Sequence, residues 1–279
     1  MSGERPCPLL PHPGTGELFA SPVPPGTGWP GDVADASTPI ARDKADVERL
    51  ADESLDTEDI DARISVCRAC ERLVTWREDV ARTKRASFAD EPYWGRPVKS
   101  FGNPKSHRVI IGLAPAAHGG NRTGRMFTGD RSGTWLFGAL YRAGLASKPA
   151  TDDASSELEL FGARIVAPVH CAPPDNKPTT AELATCAPWI NRELQLLQPR
   201  ALLALGGIAW QATLKTARAL GWQVPRPAPK FGHGATTVLQ THYGPVRLFG
   251  CYHVSQQNTF TGRLTEAMLD DVMSQFASA

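Results

Sequence analysis

Gly112-Leu113-Ala114-Pro115-Ala116-Ala117-His118-Gly119-Gly120-Asn121-Arg122-Thr123-Gly124-Arg125-Met126-Phe127-Thr128-Gly129-Asp130 is the stretch whose reading decides the fold. A short apolar run, residues 108–111, precedes it and reads as a buried strand. An amphipathic run, residues 132–143, follows it and reads as a helix that places Trp135, Leu136, Ala139, Leu140 and Ala143 on one face, with Gly144 as its C-terminal stop. A connection this long between a strand and its helix is uncommon unless it is functional. Ligands of open α/β sheets sit at the carboxyl ends of strands, so the stretch is expected to wall an active site.

Further along, residues 163–169 and 201–205 are apolar strands, and a Thr179/Glu182 capping box opens a helix reaching about residue 197. Residues 208–220 and 265–276 read as helices, and residues 235–240 and 246–253 as a hairpin. Strands alternating with helices predict an α/β domain with a mainly parallel sheet covered on both faces. Residues 60–81 read as one helix carrying Cys67 and Cys70. Residues 1–58 are rich in Pro, Gly, Asp and Ser and predict an extended arm, packed on the core through Leu18, Phe19 and Trp29 or partly mobile. Residues 59–279 then form the catalytic domain.

The net charge of +1 announces no polycation, although a local basic face suffices for phosphate contact. Neither a signal peptide nor an apolar run long enough to span a bilayer is present in the sequence, so the expected compartment is the cytoplasm. Disulfides are rare there, and six cysteines point first to metal or redox chemistry. Cys67 and Cys70 form a C-x2-C pair, which with Cys171 and Cys186 fits a four-thiolate cage for zinc or an iron–sulfur cluster. Spacing leaves that choice open. Cys251 reads as core packing and Cys7 as a free thiol in the arm.

Three loops follow strand ends, at residues 112–130, 170–178 and 253–265. The third is polar with one apolar tip. Ser255, Gln256 and Gln257 suit groove contacts, and an apolar side chain can fill a gap in a base stack. Arg122, Arg125, Arg131 and Arg263 are candidates for phosphate contact, set against the plainer reading of solvated surface charges. Asp130 stands where a helix N-cap belongs, and capping with one carboxylate oxygen leaves the other for chemistry.

Taken together, these motifs resemble the uracil-DNA glycosylase superfamily, specifically its iron–sulfur family 5. The carriers are residues 112–119, 121–125 and 127–130, then Cys171 to Pro178, then His253-Val254-Ser255-Gln256, and with the cysteines the resemblance runs from Cys67 to the C-terminus. Family 4 carries an acidic residue after the first glycine; here Leu113 and Ala114 follow Gly112, which favours family 5. The resemblance implies a three-layer α/β/α fold with a four-stranded parallel sheet, a structural [4Fe–4S] cluster on Cys67, Cys70, Cys171 and Cys186, and excision of uracil, with tolerance for other deaminated bases such as hypoxanthine. It implies that Phe127 stacks on the flipped base, that Ala114, His118 and Asn121 line the base site, and that His253 hydrogen-bonds the base. Asn176 then lines the pocket, and Asp130 positions water, with His118 and Asn121 as competitors for that role. DNA is the expected partner and a monomer the expected form. The rivals are a non-catalytic iron–sulfur DNA-binding or redox module, and a relative that traps uracil-DNA covalently.

Overall fold

The computed structural model describes residues 8–150 and 152–279; Cys7 lies outside them. Two short strands, β1 (Leu10–Pro11) and β2 (Leu18–Phe19), form a hairpin in the arm. Three helices follow, α1 (Lys44–Asp52), α2 (Thr57–Ser65) and α3 (Glu71–Thr83). Then come β3 (Phe101–Gly102), β4 (Arg108–Ile111), a single turn α4 (Gly120–Thr123), and α5 (Arg131–Arg142). The remainder runs β5 (Arg164–Val166), α6 (Thr180–Leu197), β6 (Ala201–Leu205), α7 (Gly207–Ala219), β7 (Thr236–Thr241), β8 (Gly244–Cys251), α8 (Gln256–Phe260) and α9 (Glu266–Ala277).

The central sheet has the order β3-β5-β4-β6-β8-β7. Its four inner strands are parallel, as expected, and an antiparallel strand adds to each edge, which makes six. Inner strands bury both faces, so their sequences are continuous apolar runs. Alternation assigns neighbours to opposite layers. Ile110, Ile165 and Leu203 pack with Leu136, Phe137 and Leu140 of α5 and with Leu269, Val272 and Phe276 of α9. Val109, Ile111 and Leu202 pack with Ile190 and Leu194 of α6 and with Trp210 and Leu214 of α7. Among the described residues no helix is long and apolar enough to cross a membrane.

Three expectations are corrected. The helix expected over residues 60–81 is broken between Ser65 and Glu71, where Cys67 and Cys70 stand. A continuous helix would keep both sulfurs on one helical face; the break turns them into a cavity instead. Within the arm, α1 forms because Asp43 accepts from the Asp46 amide at 2.9 Å, and Val47, Leu50 and Ala51 share one buried face. In the hairpin Phe19 and Trp29 are buried, but Leu18 is 60% exposed, because the two strand residues point to opposite sides.

A buried charge cluster joins α2, β5 and α6: Arg164 reaches Asp61 at 2.9 Å and Glu193 at 2.6 Å, and Ser100 donates to Glu193 at 2.9 Å. Each charge there has its partner, which burial demands.

Candidate active site and cysteine cavity

The first and second loops are laced at the sheet edge. The Gly112 amide donates to Val166 at 3.0 Å and the Val169 amide to Leu113 at 3.2 Å. The Phe127 ring lies over Gly112, where a Cβ would sit 3.3 Å from it. Phe127 itself is left-handed, φ 53°, a conformation that costs a non-glycine residue about 1–3 kcal/mol and persists only where the surroundings enforce it. Gly133 provides that enforcement: a Cβ there would meet the Phe127 carbonyl oxygen at 1.8 Å, so α5 and the Phe127 backbone come closer than any side chain permits. His253, just past β8, brings its ring to 6.4 Å from Phe127, tilted by 36°. Asn258 fixes it from behind, donating to the His253 carbonyl at 2.8 Å.

Asp130 caps α5: its Oδ1 accepts from the Gly133 amide at 3.0 Å. Its Oδ2 lies over Gly119, where a Cβ would be 2.3 Å away. Burial pushes this carboxyl above the usual carboxylate range, against the opposing pull of the Gly133 and Ser132 amides and of Arg122. Burial also lowers His253, which keeps its imidazole neutral near neutral pH.

His118 is half-buried and pairs through Nδ1 with the Tyr93 hydroxyl at 3.2 Å. Burial, then Arg85 and Arg122, lower its pKa. Ala114 is half-buried in the same loop. Asn176 is exposed on the second loop, in a short turn where Asp175 and Asn176 are both left-handed.

Asn121, Arg122 and Arg125 are where expectation and structure part. Asn121 is fully buried and donates to the Arg77 carbonyl at 3.2 Å, which removes it from base contact. Arg122 is buried and donates to the carbonyls of His118 and Gly129, both at 3.0 Å, and to Glu91 at 2.6 Å. Arg125 is buried and donates to the carbonyls of Asp153 at 2.6 Å, Ser156 at 3.0 Å and Ala154 at 3.3 Å. Both guanidiniums are struts of the loop rather than phosphate contacts, because the folded loop leaves carbonyls that need donors.

The third loop keeps its exposed polar face. Gln256, Gln257 and Arg263 are exposed, Ser255 is half-exposed, and Arg263 stacks 4.7 Å over Tyr252. Phe260 is 63% exposed, with Arg131 4.4 Å over its ring. Tyr93 and Asn258 belong to the site although no sequence pattern singles them out, and Gly119 belongs to it as part of the quoted stretch.

Behind the loops, Cys67, Cys70, Cys171 and Cys186 all line one cavity with apolar walls that include Ile64, Leu73, Val169 and Trp189. Burial, then the neighbouring Cys171 charge, raise Cys67 to about 11 and Cys70 to about 12; Cys186 is pushed up well above its ordinary value. Arg77, buried beside them, donates to the Cys171 sulfur at 3.1 Å and to the Cys67 carbonyl at 3.2 Å. Among the described residues no three His, Cys, Asp or Glu side chains converge as a single-ion site. Cys251 is core packing.

The family model described as the uracil DNA glycosylase superfamily matches residues 99–277. A type-5 uracil-DNA glycosylase of Mycobacterium tuberculosis is 56% identical over 266 residues, 95% of this chain and 97% of the relative. One from Thermus thermophilus is 47% identical over 222 residues, 79% and 97% of the two chains. A type-4 uracil-DNA glycosylase of Pyrobaculum aerophilum is 31% identical over 164 residues, 58% and 72%.

Proposed function

The chain belongs to the uracil DNA glycosylase superfamily, and on that premise we propose that it removes uracil, and other deaminated bases such as hypoxanthine, from DNA by hydrolysing the N-glycosidic bond. The observation that carries this reading is the meeting of Phe127 and His253 at the carboxyl edge of the sheet, on the loop that ends in half-buried Asp130. A base inside a duplex is out of reach and must be extruded, at a cost of a few kcal/mol. An aromatic platform such as Phe127 recovers about 1–3 kcal/mol by stacking.

As the bond breaks, its electron pair leaves on the base and a cationic sugar develops. The neutral His253 imidazole donates to the base oxygen where negative charge collects, a preorganised donor of the kind that dominates such barriers. Asp130, as carboxylate, stabilises the cationic sugar and orients water. Water oxygen bonds to C1′, Asp130 accepts the proton, and the released base takes a proton from solvent, leaving an abasic site. Ala114 and His118 line the base site and Asn176 approaches from the second loop. Ser255, Gln256, Gln257 and Arg263 face the DNA, with Phe260 at the tip of that surface.

The four cysteines fit a [4Fe–4S] cluster by their chemistry. Four thiols that line one apolar cavity resist ionising together, and soft thiolates are the ligands of such clusters. The group would supply structural cross-linking between the α2–α3 turn, the end of β5 and α6. We take the monomer as the working form. We take the cytoplasm as the compartment, where the DNA substrate of such an enzyme resides.

The deciding experiment measures base release from labelled strands carrying uracil, hypoxanthine or xanthine, single- and double-stranded. Release of uracil with an abasic product is the expected result. DNA binding with no release from any of them, or a heat-stable protein–DNA adduct, overturns the reading.

A further inference from the structure

The arm meets the catalytic loop through a set of contacts that the reaction as described does not use. Trp29 is buried, and its indole N–H donates to the Thr123 carbonyl at 3.2 Å. The Thr123 hydroxyl lies 3.3 Å from each of the carbonyls of Gly119, Arg125 and Thr128. Gly119 is the residue against which Asp130 Oδ2 rests, and Thr128 directly follows left-handed Phe127. A Cβ on Gly124 would come 2.8 Å from the Trp29 indole nitrogen, so the indole fills the space behind the loop.

A second route runs through residues 93–96. Ser21 accepts from the Tyr93 amide at 2.8 Å, and the Val23 amide donates to Trp94 at 3.0 Å. Asp32 forms a two-pronged pair with Arg96 at 2.8 and 3.0 Å, and Arg96 lies 3.8 Å over the Trp94 ring. From the same segment the amides of Trp94 and Gly95 donate to Arg122 and Asn121, both at 2.9 Å. Trp29, Asp32 and Arg96 all precede the stretch that the family model matches.

We infer that the arm is a brace for the catalytic loop and that Trp29 is a positioning residue, setting Asp130 and Phe127 through Thr123 and Gly119. The inference rests on the roles given to Phe127 and Asp130 above. An arm that merely added buried surface would contribute to stability alone. A brace contributes to the rate of the chemical step, because misplacement of a reacting group by about 1 Å costs on the order of 10²-fold.

The test uses the full chain with Trp29→Phe, which keeps an aromatic ring and removes the N–H. Base release is measured in single turnover at saturating enzyme, and binding is measured on uracil-DNA with a 2′-fluoro sugar that resists cleavage. Leu239→Ala, a core truncation under the distal edge strand, serves as a control for lost stability. The expected result is a fall of about tenfold in the release rate, with the dissociation constant within about twofold of the parent and Leu239→Ala at the parental rate. Thr123→Ser, which keeps the hydroxyl, should stay near the parental rate, whereas Thr123→Val should fall with Trp29→Phe. An unchanged rate in Trp29→Phe overturns the brace. A loss that Leu239→Ala reproduces at equal melting temperature also overturns it. Where Trp29→Phe does not fold, Asp32→Asn takes its place under the same criteria. Asp130→Asn is run alongside: full release by that variant sinks the acid role, while full release by Trp29→Phe sinks the brace.

Discussion

Gly119→Ala separates what Asp130 does for the fold from what it does for the reaction. The backbone at Gly119, φ −100°, is not left-handed, so alanine adds no φ strain. Its Cβ would sit 2.3 Å from Asp130 Oδ2 and 3.4 Å from the Ala116 side chain. Ordinary contact begins near 3.4 Å, so the carboxylate must retreat by about 1 Å, well beyond the 0.5 Å within which a reacting group must be held. The stability cost is limited to the cap bond from Gly133, about 1 kcal/mol, which lowers the melting temperature by roughly 2–4 °C. The reactive cost of a 1 Å displacement is on the order of 10²-fold. Single-turnover base release and thermal unfolding on the same preparation read both numbers. A parental release rate in folded Gly119→Ala would refute the placement of Asp130 in the reaction. A fall in rate that tracks a melting temperature many degrees lower would refute the separation.

The remaining expectations concern pH, the cysteines and salt. Burial raises the Asp130 carboxyl, so release should fall as pH drops through a value above the ordinary carboxylate range. Asp130→Asn, which keeps a capping oxygen, should lower the rate by about 10²-fold or more and remove that limb; a limb that survives the substitution belongs to another group. At neutral pH the raised pKa opposes folding, since the protonated form is the one favoured in the folded state, so Asp130→Asn should not reduce the melting temperature there. His253, lowered by burial, is neutral at pH 7; its contribution to stability is present above the ordinary histidine value and lost as pH falls through that value toward the depressed one. His253→Ala should cost about 10²-fold in release and flatten that part of the stability profile, as measured by chemical denaturation from pH 5 to 8. Purified protein should be brown and contain iron, and Cys70→Ala should lose both the colour and the iron; a colourless zinc protein by metal analysis refutes the cluster. Arg263→Ala should lower the salt slope of DNA binding by about 0.9 per lost phosphate contact, whereas Arg125→Ala should leave the slope unchanged and lower the melting temperature. A reduced slope for Arg125→Ala would restore it to the DNA face.

The elements legible in the sequence are those with an unbroken local pattern. The runs 108–111 and 201–205 match β4 and β6 residue for residue, and the Thr179/Glu182 box is present with both of its bonds, at 2.7 and 3.2 Å. The Asp130 cap was legible from its place just before a helix, and its bond to the Gly133 amide is present at 3.0 Å, whereas Phe127 and His253 were singled out through the family resemblance, and the fold brings their rings to 6.4 Å. Asn121, Arg122 and Arg125 were not legible, since polar residues among glycines have no periodicity to say which way they face. Arg125 is turned by the carbonyls of Asp153 and Ser156 and Asn121 by that of Arg77, all far along the chain, and Arg122 by those of His118 and Gly129 once the loop has folded. The break at Cys67–Cys70 was hidden for the opposite reason: Ile60, Ile64 and Leu73 keep apolar helical spacing across it, and only the turn of the backbone between them separates two helices. In α1 the cap at Asp43 was readable, but the proline- and glycine-rich composition around it outweighed a nine-residue pattern.

The Phe127–His253 pair has a meaning for the life of a newly made chain. Phe127 is synthesised before half of the polypeptide exists, and His253 only near its end, beyond β8. Until β8 lies against β6, the Phe127 ring has no His253 ring facing it. A nascent chain that ends before β8 therefore holds Phe127 and Asp130 without the ring that faces Phe127 in the finished molecule. Drawing the two rings from stretches so far apart in the chain makes completion of β8 a condition for their pairing.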